Sequence, residues 1–163
     1  EEFKTLEREF QFPHAKLLRV LKVKNLIPEN RFETEKQCMA MKGSSSNTTV
    51  LYHTTKKQTL EKILNEGLDS RESKIGFFGR AIYFTDNAEK ANDYSEFRGS
   101  NVEERVMLRC SVILGRSKEF ELGHFNRELC KEPEGYDSVK GFIRRNHEYA
   151  IYNNSRCMIT EIL

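Results

Sequence analysis

Three short apolar segments, each with one polar residue among strand-forming neighbours, constrain the fold of this chain more than any other feature. The segments are residues 50–55, 81–85 and 148–152. Valine, isoleucine, tyrosine, phenylalanine and threonine dominate them, and these residue types favour β-strands. Charged side chains are rarely fully buried in a strand unless they are paired or functional. His53, Tyr83 and Glu148 are therefore the first candidates for functional residues.

The rest of the chain mixes helix and strand signals. Helix formers with capping residues predict helices over residues 29–41, 59–67 and 86–94, and residues 1–14 suit a short helix or an extended lead-in. Apolar runs predict further strands over residues 15–24, 105–114 and 157–163, whereas residues 115–145 are predicted to be mainly loop. Strands with interspersed short helices predict an α+β fold with an antiparallel or mixed sheet.

Length and charge narrow the class of function. The 163 residues are enough for one domain with a real core. Lysine plus arginine nearly balance aspartate plus glutamate, which leaves a net charge of +2. This balance favours a solvated mixed-charge surface over a nucleic-acid interface. No apolar stretch approaches the ~18 residues of a membrane helix, so no membrane association is expected.

The cysteines indicate neither a metal site nor a disulfide scaffold. The four of them are widely spaced, at positions 38, 110, 130 and 157, with no Cys-x-x-Cys pair. Zinc-ligand spacing is absent, so no metal is expected. A reducing compartment suits free cysteines, which predicts an intracellular location, cytoplasm or nucleus.

Read with their neighbours, the three segments resemble the His-Tyr-Glu signature of the poly(ADP-ribose) polymerase (PARP) type of ADP-ribosyltransferase catalytic domain. The matching stretches are His-Thr-Thr at 53–55, Gly-Arg-Ala-Ile-Tyr-Phe-Thr-Asp at 79–86 with Tyr94 downstream, and Asn-His-Glu-Tyr-Ala-Ile-Tyr at 146–152. A Tyr-Asp-Ser-Val stretch at 136–139 is similar to one in the mono-ADP-ribosylating branch. The resemblance covers essentially the whole chain.

This resemblance implies a more specific fold than the residue patterns do. It implies two packed, mainly antiparallel β-sheets with short flanking helices and a cleft for NAD⁺ between them. We expect residues 1–163 to form a single catalytic domain, excised from a larger protein and lacking the helical regulatory subdomain of some family members. The oligomeric state is left open.

Cleaving the nicotinamide–ribose bond of NAD⁺ develops positive charge on the ribose, which a nearby carboxylate can stabilise. Glu148 is the candidate for this role. The resemblance implies that His53 holds the adenosine-side ribose and that Tyr83 and Tyr94 sandwich the nicotinamide ring. His53, Tyr83 and Glu148 thus form the predicted catalytic set. The other residues predicted to bind NAD⁺ are Thr54, Thr55, Gly79, Ala81 and Ala91.

Three positions depart from the family pattern. Thr54 and Ala81 replace glycines, and Ala91 replaces a serine whose hydroxyl bonds the nicotinamide amide. Losing that hydroxyl removes one neutral hydrogen bond, about 0.5–1.5 kcal/mol. The loop between Gly67 and Gly79, which would cover the donor, is also short. These departures predict weakened NAD⁺ binding or an altered response to inhibitors.

The leading hypothesis is an NAD⁺-dependent transferase that adds ADP-ribose to side chains of a partner protein or of itself. The compact loops favour transfer of one unit over a polymer. One alternative is a catalytically silent domain that keeps the fold for binding, which the three departures motivate. The other is transfer to nucleic acid, which the balanced charge disfavours.

Overall fold

The computed structural model describes residues 2–12, 15–96, 105–143 and 145–163. The helices in these ranges are α1 (Glu2–Glu9), α2 (Leu26–Met41), α3 (Lys57–Glu66) and α4 (Ala88–Glu96), with short 3₁₀ turns at Ser70–Glu72 and Asn154–Arg156. The strands are β1 (Leu21–Lys22), β2 (Thr48–Thr55), β3 (Ile82–Thr85), β4 (Val106–Ile113), β5 (Ser117–Phe120), β6 (Ser138–Ile143), β7 (Asn146–Ile151) and β8 (Cys157–Ile162). None of these helices is long and apolar enough to cross a membrane.

The strands form an eight-stranded sheet in the order β1-β8-β4-β2-β3-β7-β6-β5. Every neighbouring pair is antiparallel except β5 and β6, which run parallel. The predicted α+β class and the mainly antiparallel pairing are therefore confirmed.

The two expected sheets are halves of one continuous sheet, which corrects that detail of the prediction. Strand β2 pairs with β4 along its whole length, and β3 pairs with β7 along its whole length. Between β2 and β3 the register contains one pair, Tyr52 with Thr85. That single pair joins the halves. Beyond it, residues 53–55 of β2 and residues 82–84 of β3 are not paired with each other in the register of the two strands, and we call the space between them the wedge.

The main core lies between α3 and one side of the sheet. Leu60 and Ile63 of α3 pack against buried residues that include Leu51, Phe84 and Ile151. The helix ends as predicted at Gly67, whose φ of 86° suits a residue without Cβ. The predicted cap Thr59 instead lies inside the first turn, and its hydroxyl donates to the carbonyl of Lys56.

One strand prediction was wrong and two strands were missed. Residues 15–24 were predicted to form a strand, but only Leu21–Lys22 do so, at the exposed edge beside β8. Residues 115–145 are mainly loop, as predicted, but they also contain the strands β5 and β6. Those strands include serine, lysine and glycine, which have low intrinsic strand preference, so pairing with β7 rather than local propensity defines them.

Candidate active site

Tyr83 is fixed by its hydroxyl to the turn formed by residues 76–79. The hydroxyl donates to the Gly79 carbonyl at 2.6 Å and accepts from the Phe78 N–H at 2.9 Å. Burial disfavours the phenolate and, with the charge of Glu148, raises the pKa of Tyr83 to about 12. The hydroxyl therefore holds the turn, and the ring is the part of Tyr83 that remains for stacking on a ligand.

The 76–79 turn itself requires its glycines. Gly76 and Gly79 bond each other through their backbones, at 3.0 and 3.3 Å. Gly79 has a φ of 77°, and a Cβ there would come within 1.8 Å of the Leu129 carbonyl oxygen. A Cβ on Gly76 would meet the Tyr83 ring at 2.5 Å. Close backbone approach thus explains both glycines.

His53 crosses the wedge from β2 to β3. Its Nδ1 lies 2.8 Å from the carbonyl oxygen of Tyr83. Because a carbonyl only accepts, Nδ1 must carry the proton and donate it. Burial lowers the pKa of His53, opposed in part by this backbone bond. In the neutral ring Nε2 is then an acceptor, which suits a sugar hydroxyl.

The lowered pKa of His53 predicts a loss of stability in acid. Below pH 6.5, the ordinary value, the unfolded chain binds a proton that the folded chain resists. The stabilising contribution of neutral His53 is therefore present above pH 6.5 and is lost as pH falls through the folded-state pKa. We expect His53→Gln to flatten this part of the curve of unfolding free energy against pH, measured by urea titration. The matched control is His124→Gln, at an exposed position, and an equal flattening in both variants would contradict the assignment.

Glu148 is buried beside a lysine that sequence reasoning missed. The carboxylate is 6% exposed, and its Oε1 lies 3.3 Å from Nζ of Lys90 on α4. The same ammonium donates to the Ile143 carbonyl at 2.8 Å. Lys90 follows the helix cap Asn87, whose Oδ1 accepts the Lys90 N–H at 3.0 Å. A lysine in the first turn of a helix, where acidic residues are usual, was the available sequence signal.

The sheet register brings Tyr83 and Glu148 to one side. Thr85 pairs with Glu148 and Tyr83 pairs with Ala150, so the two side chains are diagonal neighbours on β3 and β7. His53 follows Tyr52 by one residue, and its ring lies 5.7 Å from that of Phe84. The His53 side chain therefore does not lie on the side of the sheet that carries the side chains of Tyr83 and Glu148. It contacts Tyr83 through the hydrogen bond to the Tyr83 carbonyl.

The other predicted binding residues have different surroundings. Thr54 and Thr55 are half-buried at the end of β2, beside the wedge, and the Thr55 hydroxyl bonds that of Thr59 at 2.9 Å. Ala81 is fully buried against Phe78 and Val139, so its extra methyl is part of the core.

Two of the predicted binding residues, Ala91 and Tyr94, belong to α4. Ala91 is 2% exposed, in an apolar cluster with Tyr52 and Met107. Tyr94 is in α4, but its side chain lies outside the described residues. Its role in stacking remains a prediction.

A family model described as the catalytic domain of poly(ADP-ribose) polymerase matches residues 1–147. This chain belongs to the PARP catalytic domain family. Membership implies ADP-ribosyltransferase activity with NAD⁺ as co-substrate. The matched range stops one residue before Glu148, so the assignment of that carboxylate rests on its geometry and sequence context.

The site of this PARP domain has features suited to the dinucleotide. Past the Tyr52–Thr85 pair, Thr54 of β2 borders the wedge. The Tyr83 ring and the Nε2 acceptor of His53 lie on either side of the Tyr83 backbone. Among the described side chains no group of three or more could hold a metal ion.

Removing the Tyr83 hydroxyl should loosen the 76–79 turn of this PARP domain. In Tyr83→Phe the Phe78 N–H loses its acceptor, so we expect the free energy of unfolding to fall by about 1–3 kcal/mol. Chemical denaturation measures this change. Tyr136→Phe is the control, because the Tyr136 ring lies beside Arg116 and Lys118 and not beside the turn. Equal stability of Tyr83→Phe and the wild type would show that the hydroxyl does not anchor the turn.

Proposed function

We propose that this domain transfers single ADP-ribose units from NAD⁺ to protein side chains. Glu148 acts as the catalytic carboxylate, while His53 and Tyr83 hold the dinucleotide. The observation that supports this best is the buried Glu148–Lys90 pair on the same side of the sheet as Tyr83. Burying a carboxylate is costly, and a functional requirement gives a reason for one at this position.

Each residue has a distinct part in the proposed reaction. The Glu148 carboxylate accepts a hydrogen bond from a ribose hydroxyl and stabilises the positive charge that grows on the anomeric carbon. It can also take the proton of a hydroxyl acceptor. Lys90 orients the carboxylate through its own bond to the Ile143 carbonyl, and it is a positioning residue.

The donor would occupy the wedge between β2 and β3. There the nicotinamide ring stacks on Tyr83 and its amide bonds the Thr54 backbone. The neutral His53 accepts a hydrogen bond from the adenosine-side ribose at Nε2. A single backbone pair joins the two strands here, so a flat ring can enter without breaking a regular ladder.

Several features support transfer of one unit to a protein inside the cell. The segment between Gly67 and Gly79 is compact, held by the Tyr83 hydroxyl and by the backbone bond between Gly76 and Gly79. Residues 136–139 resemble the mono-transferring branch. All four cysteines are free, which supports the cytoplasm or nucleus as the location.

A binding-only domain is the second candidate, favoured by the surroundings of Ala91. This position is covered by apolar side chains and offers no hydroxyl to a nicotinamide amide. The lost hydrogen bond would cost about tenfold in affinity at most, which weakens donor binding without removing Glu148 or Tyr83.

Incubation with a tagged NAD⁺ analogue separates these candidates. The purified domain should release nicotinamide and carry label onto protein, in steps of one unit on a denaturing gel. Label growing into a ladder would support polymer formation. If the domain neither releases nicotinamide nor shows an NAD⁺-dependent thermal shift, the binding-only domain is the better account.

A further inference from the structure

The outward side of residues 16–27, at the β1 edge of the sheet, combines exposed apolar and basic side chains. Ten large apolar side chains are exposed in the described ranges, and four of them lie within ten consecutive residues. Single exposed apolar side chains are ordinary, whereas a cluster of them marks a contact surface. The apolar members are Leu18, Leu21, Leu26 and Ile27, between 49% and 74% exposed, and the basic members are Lys16, Arg19, Lys22 and Lys24. We call these eight side chains the edge patch.

The backbone holds the edge patch in a fixed arrangement. Leu21 pairs with β8, and the N–H of Val23 donates to the Thr160 carbonyl at 2.9 Å. The side-chain amide of Asn25 then donates to the Leu64 carbonyl of α3 at 2.6 Å. The patch is therefore part of the folded domain.

Every third residue of this segment faces the protein. Leu17 and Val20 pack in the apolar cluster that includes α1, and Val23 packs against the main core. The residues between them are exposed, whereas a regular strand would alternate at every second residue. Only Leu21–Lys22 form strand pairs. The segment thus presents side chains outward and offers no regular backbone edge to which a partner strand could add.

The edge patch is locally cationic. The stretch of chain that carries it contains four basic residues and no acidic one. In the register Lys22 lies opposite Glu161, whose carboxylate is 6% exposed and accepts from Arg109 at 3.0 Å. Glu29, the first acidic residue after the patch, accepts the Asn25 N–H at 3.1 Å. Both neighbouring carboxylates are therefore engaged within the domain.

An anionic membrane surface suits both kinds of side chain in the patch. Anionic headgroups attract lysine and arginine, and leucine and isoleucine can enter the boundary between headgroups and acyl chains. Nucleic acid would use the cations but would leave the apolar side chains in water. A peripheral contact needs no spanning helix, so the expectation of no membrane association, which was based on the lack of a long apolar stretch, does not exclude it.

We propose that the edge patch docks this domain on the headgroup layer of membranes that contain anionic lipid. Leu26 and Ile27 supply apolar contacts, and Lys16 and Lys24 are among the cationic ones. In the sheet order β1 lies three strands from β2, about 14 Å at the ordinary spacing of paired strands. The contact therefore does not cover the wedge, and it does not depend on turnover.

Co-sedimentation with vesicles tests this docking. The purified protein should bind vesicles of equal parts phosphatidylserine and phosphatidylcholine, more weakly as salt is added, and should not bind pure phosphatidylcholine. Lys16→Gln combined with Lys24→Gln should lower the partition coefficient roughly 25-fold, because each cation contributes about fivefold. The matched control, Lys42→Gln with Lys131→Gln, removes two exposed lysines elsewhere and should stay within about twofold of the wild type.

A second set of variants tests the apolar members of the patch. Leu26→Ser combined with Ile27→Ser should lower binding at least about tenfold, because it removes two apolar side chains that the bilayer would bury. Met41→Ser with Leu122→Ser is the control, since both side chains are exposed outside the patch. Every substituted position is exposed, so each variant should keep a Tm close to that of the wild type.

The outcomes separate lipid docking from other uses of the patch. Equal binding to both kinds of vesicle, no binding to either, or an equal loss in the control variants would overturn the proposal. A labelled oligoglutamate peptide, followed by fluorescence anisotropy, represents an acidic protein segment. Binding of this peptide without binding of anionic vesicles would assign the patch to a protein partner and would also overturn the proposal.

Discussion

Glu148→Gln should lower nicotinamide release from NAD⁺ by about 10²–10⁴-fold, the range expected for loss of a positioned catalytic carboxylate. The substitution keeps the size of the side chain, and its amide oxygen can still accept from Lys90. What it removes is the negative charge that would stabilise the ribose in the transition state. The measurement is the initial rate of nicotinamide release, with a thermal shift in NAD⁺ to show that the donor still binds.

The control for this prediction is Glu89→Gln. Glu89 is exposed on the same helix as Lys90, so its loss changes the net charge equally without touching the buried pair. Its rate should stay within twofold of the wild type. A Glu148→Gln variant that keeps more than about one-tenth of the wild-type rate would exclude Glu148 as the catalytic carboxylate.

Lys90→Met should cost about 3–5 kcal/mol in the free energy of unfolding, the largest stability change that we expect at a single side chain. Both side chains of the pair are 7% exposed, so Glu148 would lose the ammonium that lies 3.3 Å from its carboxylate at a site away from water. The Ile143 carbonyl would also lose its donor. Because small domains are stable by roughly 5–15 kcal/mol, urea denaturation can resolve a change of this size.

A double-mutant cycle isolates the contribution of the pair. Lys90→Met combined with Glu148→Gln removes both charges, so the double variant should be more stable than Lys90→Met alone. Lys131→Met is the matched control for the loss of an exposed lysine and should change stability by less than about 0.5 kcal/mol. Additive effects in the cycle would show that the two groups do not interact.

Some elements follow directly from local sequence. Asn25 accepts the Ile27 N–H at the start of α2, and Asn87 accepts the Lys90 N–H at the start of α4, as residues of this type do at helix caps. Strand β4 alternates and carries apolar residues, so its boundaries were predicted to within about one residue. Polar residues set in apolar runs likewise identified His53, Tyr83 and Glu148 as candidates.

Long-range pairing determined the elements that sequence reasoning missed. Strands β5 and β6 have weak local preference, and β5 pairs in parallel with β6, which no hairpin turn can specify. The continuous sheet depends on the Tyr52–Thr85 pair, a contact between residues distant in sequence. No pattern of propensities contains that information.

The sequence by itself determined the α+β class, the positions of α2, α3 and α4 to within about three residues, and the residue types available for chemistry, because caps, periodicity and strand propensity act over a few residues. Only the tertiary structure decided which of those residues meet. It paired Lys90 with Glu148 and fixed the proton of His53 on Nδ1. It also brought Arg127 over Phe77. These contacts depend on how the sheet and its loops pack, and packing joins residues whose separation along the chain carries no local signal.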